Sequence, residues 1–258
     1  MCSDPHSRPP IEPDPGAGAS GSHVLLSASD GTRVTAYLAS SGATTGHGII
    51  VLPDYHGLTP FYEALTSRFA EAGIAALAID YYGRTAPPPP RDQGFDHRDH
   101  AERTTWAGLR ADATAAAEHL RLRCHVTSVF SVGFCFGGRV SFLLASLDSL
   151  DMAGVIGFYG WPVGSFLNDT PAPAEMTSRL RAPLLGIFGG ADEKIPVSDV
   201  ETFRQALQRN EVPHDVRVYE GAPHSFFDHA QPDHAGAAAD AWDRVRGFIA
   251  THTSTRSG

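Results

Sequence analysis

The chain has 258 residues, 42% of them hydrophobic and 19% charged, with a formal net charge of -9. That length and balance are those of an ordinary globular protein with room for one large α/β domain and a substantial core. An acidic surplus without any Lys/Arg run argues against nucleic acid as a partner, and no apolar run approaches transmembrane length, so no membrane is expected either.

Almost all basic residues are arginine, Lys194 being the only lysine. Three cysteines (Cys2, Cys124 and Cys135) cannot all pair, and their spacing suggests neither a disulfide framework nor a metal site. The beginning of the chain lacks an apolar segment of signal-peptide length, so a cytoplasmic protein is expected.

Residues 1–22 are rich in Pro, Gly, Ser, Asp and Ala without periodicity and predict a disordered tail; residues 252–258 predict a flexible end. Between them, 23–251 reads as one domain. Val24–Ser27 and Arg33–Leu38, joined through Ser29-Asp30-Gly31, predict a β-hairpin. Gly48–Pro53 is an apolar run typical of a strand buried on both faces. A helix over 60–72 and a second buried strand over 74–80 follow. Residues 86–96 contain four consecutive prolines and predict an irregular rim loop.

One long alanine-rich helix is expected over 101–122, then strand 126–132 and a helix over 139–145. Strands at 152–159, 183–188 and 215–219 and helices at 197–208 and 235–250 complete the pattern. Strands alternating with helices predict an α/β fold, a mostly parallel sheet covered on both faces and opened by an antiparallel edge hairpin.

The stretch Gly133-Phe134-Cys135-Phe136-Gly137-Gly138 lies between strand and helix. Strand, Gly-x-nucleophile-x-Gly, helix is a nucleophile elbow, with Cys135 where serine is usual. Glycines flank the tight turn because side chains there would collide. The turn presents the thiol at a helix N-terminus, whose dipole favours thiolate. A buried structural cysteine is the competing reading.

A thiol nucleophile needs a base, and the base an orienting acceptor. Asp192, in Gly189-Gly190-Ala191-Asp192, and His224, in Gly221-Ala222-Pro223-His224, each follow a strand and stand in the order nucleophile, acid, histidine. His56, after the 48–53 strand, is the competing base, and Asp192 could instead cap the helix near Val197. The backbone N–H groups of Phe136 and Tyr55 are the expected oxyanion donors.

With Gly-Phe-Cys-Phe-Gly-Gly at 133–138, Gly-Gly-Ala-Asp at 189–192, Tyr-Glu-Gly-Ala-Pro-His-Ser-Phe at 219–226 and Asp-Tyr-Tyr-Gly-Arg at 80–84, the chain resembles the dienelactone hydrolase (carboxymethylenebutenolidase) family from about Val24 to Ala250. The resemblance implies an α/β-hydrolase fold with a Cys135-Asp192-His224 triad. It places Asp54 where the family has a glutamate regulating the cysteine, an Asx-turn residue being the alternative. Arg84 matches an arginine that holds the substrate carboxylate, unless it pairs with Asp92 or Asp96. Where the family carries a second such arginine, four residues after the histidine, this chain has Asp228, which could itself pair with Arg84. Trp161-Pro162 and the proline loop suggest a reshaped aromatic rim.

The expected activity is cofactor-free hydrolysis of a small-molecule ester or lactone through a thioester, by a monomer. A thioesterase or cyclase is the second enzymatic reading. A catalytically silent binding protein is the reading from another class.

Overall fold

A computed structural model describes residues 7–42, 45–91 and 94–252. Eight strands form one sheet: β1 (Ser20–Ser27), β2 (Arg33–Ser40), β3 (His47–Leu52), β4 (Ala75–Ile79), β5 (Ser128–Phe134), β6 (Met152–Phe158), β7 (Leu184–Gly189) and β8 (His214–Tyr219). Among the described residues six α-helices accompany it: α1 (Pro60–Glu71), α2 (His97–Arg103), α3 (Trp106–Arg123), α4 (Phe136–Leu144), α5 (Val197–Arg209) and α6 (Ala235–Thr251).

The sheet order is β1-β2-β4-β3-β5-β6-β7-β8. β1 and β2 run antiparallel, β2 meets β4 antiparallel, and every pairing from β4 to β8 is parallel. The expected edge hairpin and parallel core are thus both present. All residues of β4, β5 and β7 are buried, as continuous apolar strands between two helical layers must be. The edge strand β8 alternates between more and less exposed positions, so it is solvated on one face.

From β3 the chain crosses through α1 to β4 on one side, whereas β5 lies on the other side of β3. This reversal opens a crevice at the carboxyl ends of β3 and β5, the position where open α/β sheets hold ligands. The nucleophile elbow and the Asp54 turn both lie there.

Two expectations about the elements need correction. The single helix over 101–122 is two helices broken at Thr104-Thr105. Asp96 caps α2 by accepting from the Asp99 N–H, and the Thr105 side chain caps α3 by accepting from the Gly108 N–H (3.1 Å). No glycine or proline marks the break; a threonine that satisfies a backbone donor does the same work.

The tail over 1–22 is also not all tail. Ser20–Ser22 belong to β1, Pro9 is buried, the Asp14 N–H bonds Glu71, and the Arg8 carbonyl accepts from the His229 N–H (2.9 Å). Contacts far along the chain, absent from local composition, hold it. Residues 1–6, and 253–258 of the expected flexible end, lie outside the described residues.

Candidate active site

Cys135 occupies the elbow between β5 and α4 at φ 56°, ψ -114°, and is 3% exposed. Its N–H bonds the Phe158 carbonyl of the neighbouring strand (3.0 Å). The glycines around it are required by space. A Cβ on Gly133 would come within 1.9 Å of the Gly137 carbonyl oxygen, and one on Gly137 within 2.1 Å of the Leu52 oxygen. Helix and strand therefore touch backbone to backbone, which aims the helix N-terminus at the crevice. Phe136 is the first residue of α4, and first-turn N–H groups have no partner within their own helix.

Asp192 and His224 come together from the loops after β7 and β8. The Asp192 Oδ2 lies 2.7 Å from the His224 Nδ1, and both side chains are buried. Asp192 Oδ1 accepts from the N–H groups of Lys194 (2.8 Å) and Ile195 (3.1 Å). The turn reading of Asp192 thus coexists with its partnership to His224, while the N-cap position of α5 is held by Pro196, whose side chain makes no capping bond. Three bonds fix one rotamer of the carboxylate, and that carboxylate selects the imidazole tautomer with hydrogen on Nδ1. The remaining nitrogen, Nε2, is then the basic one.

His56, the competing base, sits instead against Asp54, with Nδ1 3.4 Å from Oδ1, and against the His97 ring at 4.9 Å.

Asp54 follows β3 in a tight turn. Its Oδ1 accepts from the His56 N–H (2.8 Å) and its carbonyl from the Gly57 N–H, so the Asx-turn reading describes its backbone role. The Asp54 carboxylate and the Cys135 thiol both act electrostatically on the hydroxyls of Tyr62 and Tyr81. Burial first, and the Asp54 carboxylate next among the shared causes, push both phenols well above the ordinary tyrosine range. They remain neutral hydroxyls; that of Tyr81 donates to the Pro53 carbonyl (2.8 Å).

Tyr62 and Tyr81 were not singled out in the sequence. The signal for Tyr62 was its place on the apolar face of α1, where it reads simply as core.

Aromatic rings close the site. Tyr159 and Trp161 lie 5.0 and 5.1 Å from the His224 ring, Phe166 is 5.3 Å from Trp161, and Phe166 stacks on Phe136 at 5.0 Å. Trp161 thus lies against the histidine and Phe166. Its loop is held by Arg139, a fully buried cation the sequence reading passed over. From α4 it donates to the carbonyls of Trp161 (3.2 Å), Gly164 (2.9 Å) and Thr170 (2.9 Å) and to the Thr170 hydroxyl (3.1 Å). Burial pulls its ionisation down to about 10. An arginine in an otherwise apolar helix was the available signal.

Two of the expected site residues are held by other parts of the protein. Arg84 is bound by the protein itself: Nε and Nη2 reach Asp112 at 3.0 and 2.7 Å, and Nη1 reaches Asp30 at 2.6 Å. The hydrogen bond to Asp112, then that to Asp30, raises the ionisation of the guanidinium further above its ordinary value. Asp112 and Asp30 supply the pairing that had been considered for Asp96 and Asp228, whereas Asp92 lies outside the described residues. Asp228 accepts instead from the Ser7 hydroxyl and from the N–H groups of Arg8 (3.4 Å) and Ala230 (2.9 Å). It ties the start of the chain to the histidine loop.

An elbow, a carboxylate-bound histidine and the crevice at the sheet's reversal define an α/β-hydrolase. Among known proteins, the Dienelactone hydrolase family model matches residues 34–253. A Synechocystis sp. protein named "Putative carboxymethylenebutenolidase" is 31% identical over 234 residues, covering 85% of this chain and 92% of that one. The carboxymethylenebutenolidase of Rhodococcus opacus is 28% identical over 271 residues, covering 100% and 99%. The crystal structure "Putative Dienelactone Hydrolase from Klebsiella pneumoniae subsp. pneumoniae MGH 78578" superposes with a TM-score of 0.79 at 26% identity, covering 90% and 98%. The chain belongs to the dienelactone hydrolase family.

Proposed function

We propose that the protein hydrolyses an ester or lactone with Cys135 as nucleophile, His224 as base and Asp192 as the group that orients it. What supports this reading is the 2.7 Å contact between Asp192 and His224, together with Cys135 on a positive-φ elbow at the same carboxyl edge of the parallel strands. His224 Nε2 takes the thiol proton and the thiolate attacks the carbonyl carbon. The N–H groups of Phe136 and Tyr55 hold the oxyanion, as two donors aimed where charge develops. Collapse expels the alkoxide or enolate, which takes the proton from His224 to leave as the alcohol or enol, and a thioester remains on Cys135. His224 then activates water, which releases the acid and regenerates the thiol.

Steady-state hydrolysis of dienelactone, an aryl acetate, a neutral lactone and an acyl-thioester tests the reading. The Cys135→Ala variant is expected to be inactive on every substrate that the wild type turns over. Asp192→Asn, which offers the wrong tautomer to a structurally intact histidine, should lower kcat by about 10²–10⁴-fold. Full activity in Cys135→Ala refutes the scheme.

A further inference from the structure

Aromatic rings lie against His224, and the arginines on the elements that build the site have partners within the protein. Three arginines come off the elements that build it. Arg84, directly after β4, turns its guanidinium away onto α3 and the β1–β2 turn, where two carboxylates, Asp112 and Asp30, receive it. Arg91 grips the fully buried Asp80 at two points (2.9 and 2.7 Å) and lies over the rings of Tyr82 and Phe95. Arg139 is spent on four oxygens behind Phe166. Farther out on α2, Arg98 and Arg103 pair with Glu102 and Asp99.

The rim imidazole of His97 adds no charge near neutral pH: burial first, then His56 and Arg91, hold its ionisation down to about 4. The charge on the Asp54 turn after β3 is negative, and it acts on the same two tyrosine hydroxyls as the thiol. An ionised group brought into this crevice gives up its water and gains no cationic partner from these arginines, an expensive exchange. What the rim does offer is flat apolar surface, with Trp161 and Phe166 both half-buried at the mouth.

From this arrangement we infer that the substrate is an uncharged ester or lactone whose acyl part presents a flat apolar group to Trp161 and Phe166, and that an acyl part bearing a second, ionised carboxylate is rejected. The inference rests on the hydrolase reading above and narrows its substrate class. Selection comes from charge more than shape. An apolar pocket discriminates weakly between neutral chains of similar size, whereas a desolvated charge without a partner is strongly disfavoured.

Two measurements on the wild-type protein test it. The first compares kcat/KM for the para-nitrophenyl esters of pentanoic acid and of glutaric acid, which share leaving group and chain length and differ by one carboxylate. The neutral ester is expected to win by about tenfold or more after subtraction of spontaneous hydrolysis. The second follows protection of Cys135 from iodoacetamide, read by peptide mass spectrometry, with acetophenone or para-acetylbenzoate as protectant. Acetophenone should protect at about tenfold lower concentration.

Equal or better use of the glutarate ester, or equal protection by the benzoate, overturns the inference and leaves the hydrolase reading standing. Turnover of neither ester counts against the hydrolase reading, and the protection ratio then still decides the question of charge.

Discussion

Cys135 is held at φ 56°, ψ -114°, a conformation that costs a non-glycine residue on the order of 1–3 kcal/mol and persists only where its surroundings over-determine it. Here the surroundings are identifiable: strand β5 on one side, helix α4 on the other, and glycines at 133 and 137 that let them touch. Gly133→Ala places a methyl carbon 1.9 Å from the Gly137 oxygen, so the elbow must open. The expected result is loss of activity together with a lower Tm, by several degrees in a chain of this size. An unchanged melting curve with full esterase activity contradicts that account.

The elbow was legible in the sequence because its cause is local: three residue types within six positions. The fate of Arg84 was not legible, since its partners Asp112 and Asp30 lie 28 and 54 residues away and nothing in the Asp80–Arg84 motif points to them. A motif states which side chain is present; only packing states what it has already bound.

At the level of elements, strands were readable from continuous apolar runs and helices from their spaced apolar faces. The loop over 160–170 was not, because its order comes from elsewhere. Arg139 binds it from α4, Asp169 accepts from the Trp106 N–H (2.6 Å), and the Asn168 amide donates to the Thr104 hydroxyl (2.7 Å). The same break that splits the helix region at Thr104-Thr105 thus serves as the second anchor of the aromatic rim.

Arg139→Met keeps much of the volume but leaves three carbonyls without their donor. A destabilisation of about 2–4 kcal/mol is expected. KM should rise more than kcat falls, since the rim loosens while Cys135, His224 and Asp192 keep their own anchors. A fall in kcat at constant KM argues instead that the arginine acts on the nucleophile helix itself.

Over the whole molecule, one segment extends beyond the domain as read from composition. Residues 7–14 lie across the histidine loop and α1 through Ser7, Arg8, Pro9 and Asp14. Deleting residues 1–14 should lower Tm by about 3–6 °C, as one to two lost kcal/mol would in a chain of this size. Composition alone calls such a stretch disordered because its stabilising partners are more than 50 residues distant.

Global stability should also carry an acid dependence from His97. Its folded-state ionisation lies near 4 against 6.5 in the unfolded chain, so between these values the unfolded state binds more protons and stability falls as the pH is lowered. Below about pH 4 that contribution has been lost in full. His97→Phe keeps a ring against Phe95 and His56, and thermal melts from pH 7 to 4 should show a smaller drop for the variant than for the wild type. Parallel curves rule the contribution out.

The near-complete burial of Cys135 has an analytical consequence. Cys124, at the end of α3, is partly exposed. In a Cys2→Ser variant, a bulky disulfide dye added to the native protein should therefore report Cys124 promptly and Cys135 only as fast as its cover admits it. Thiol titration of the folded chain will undercount until denaturant is added, and the lag between the two readings becomes a clock for how often the cover opens.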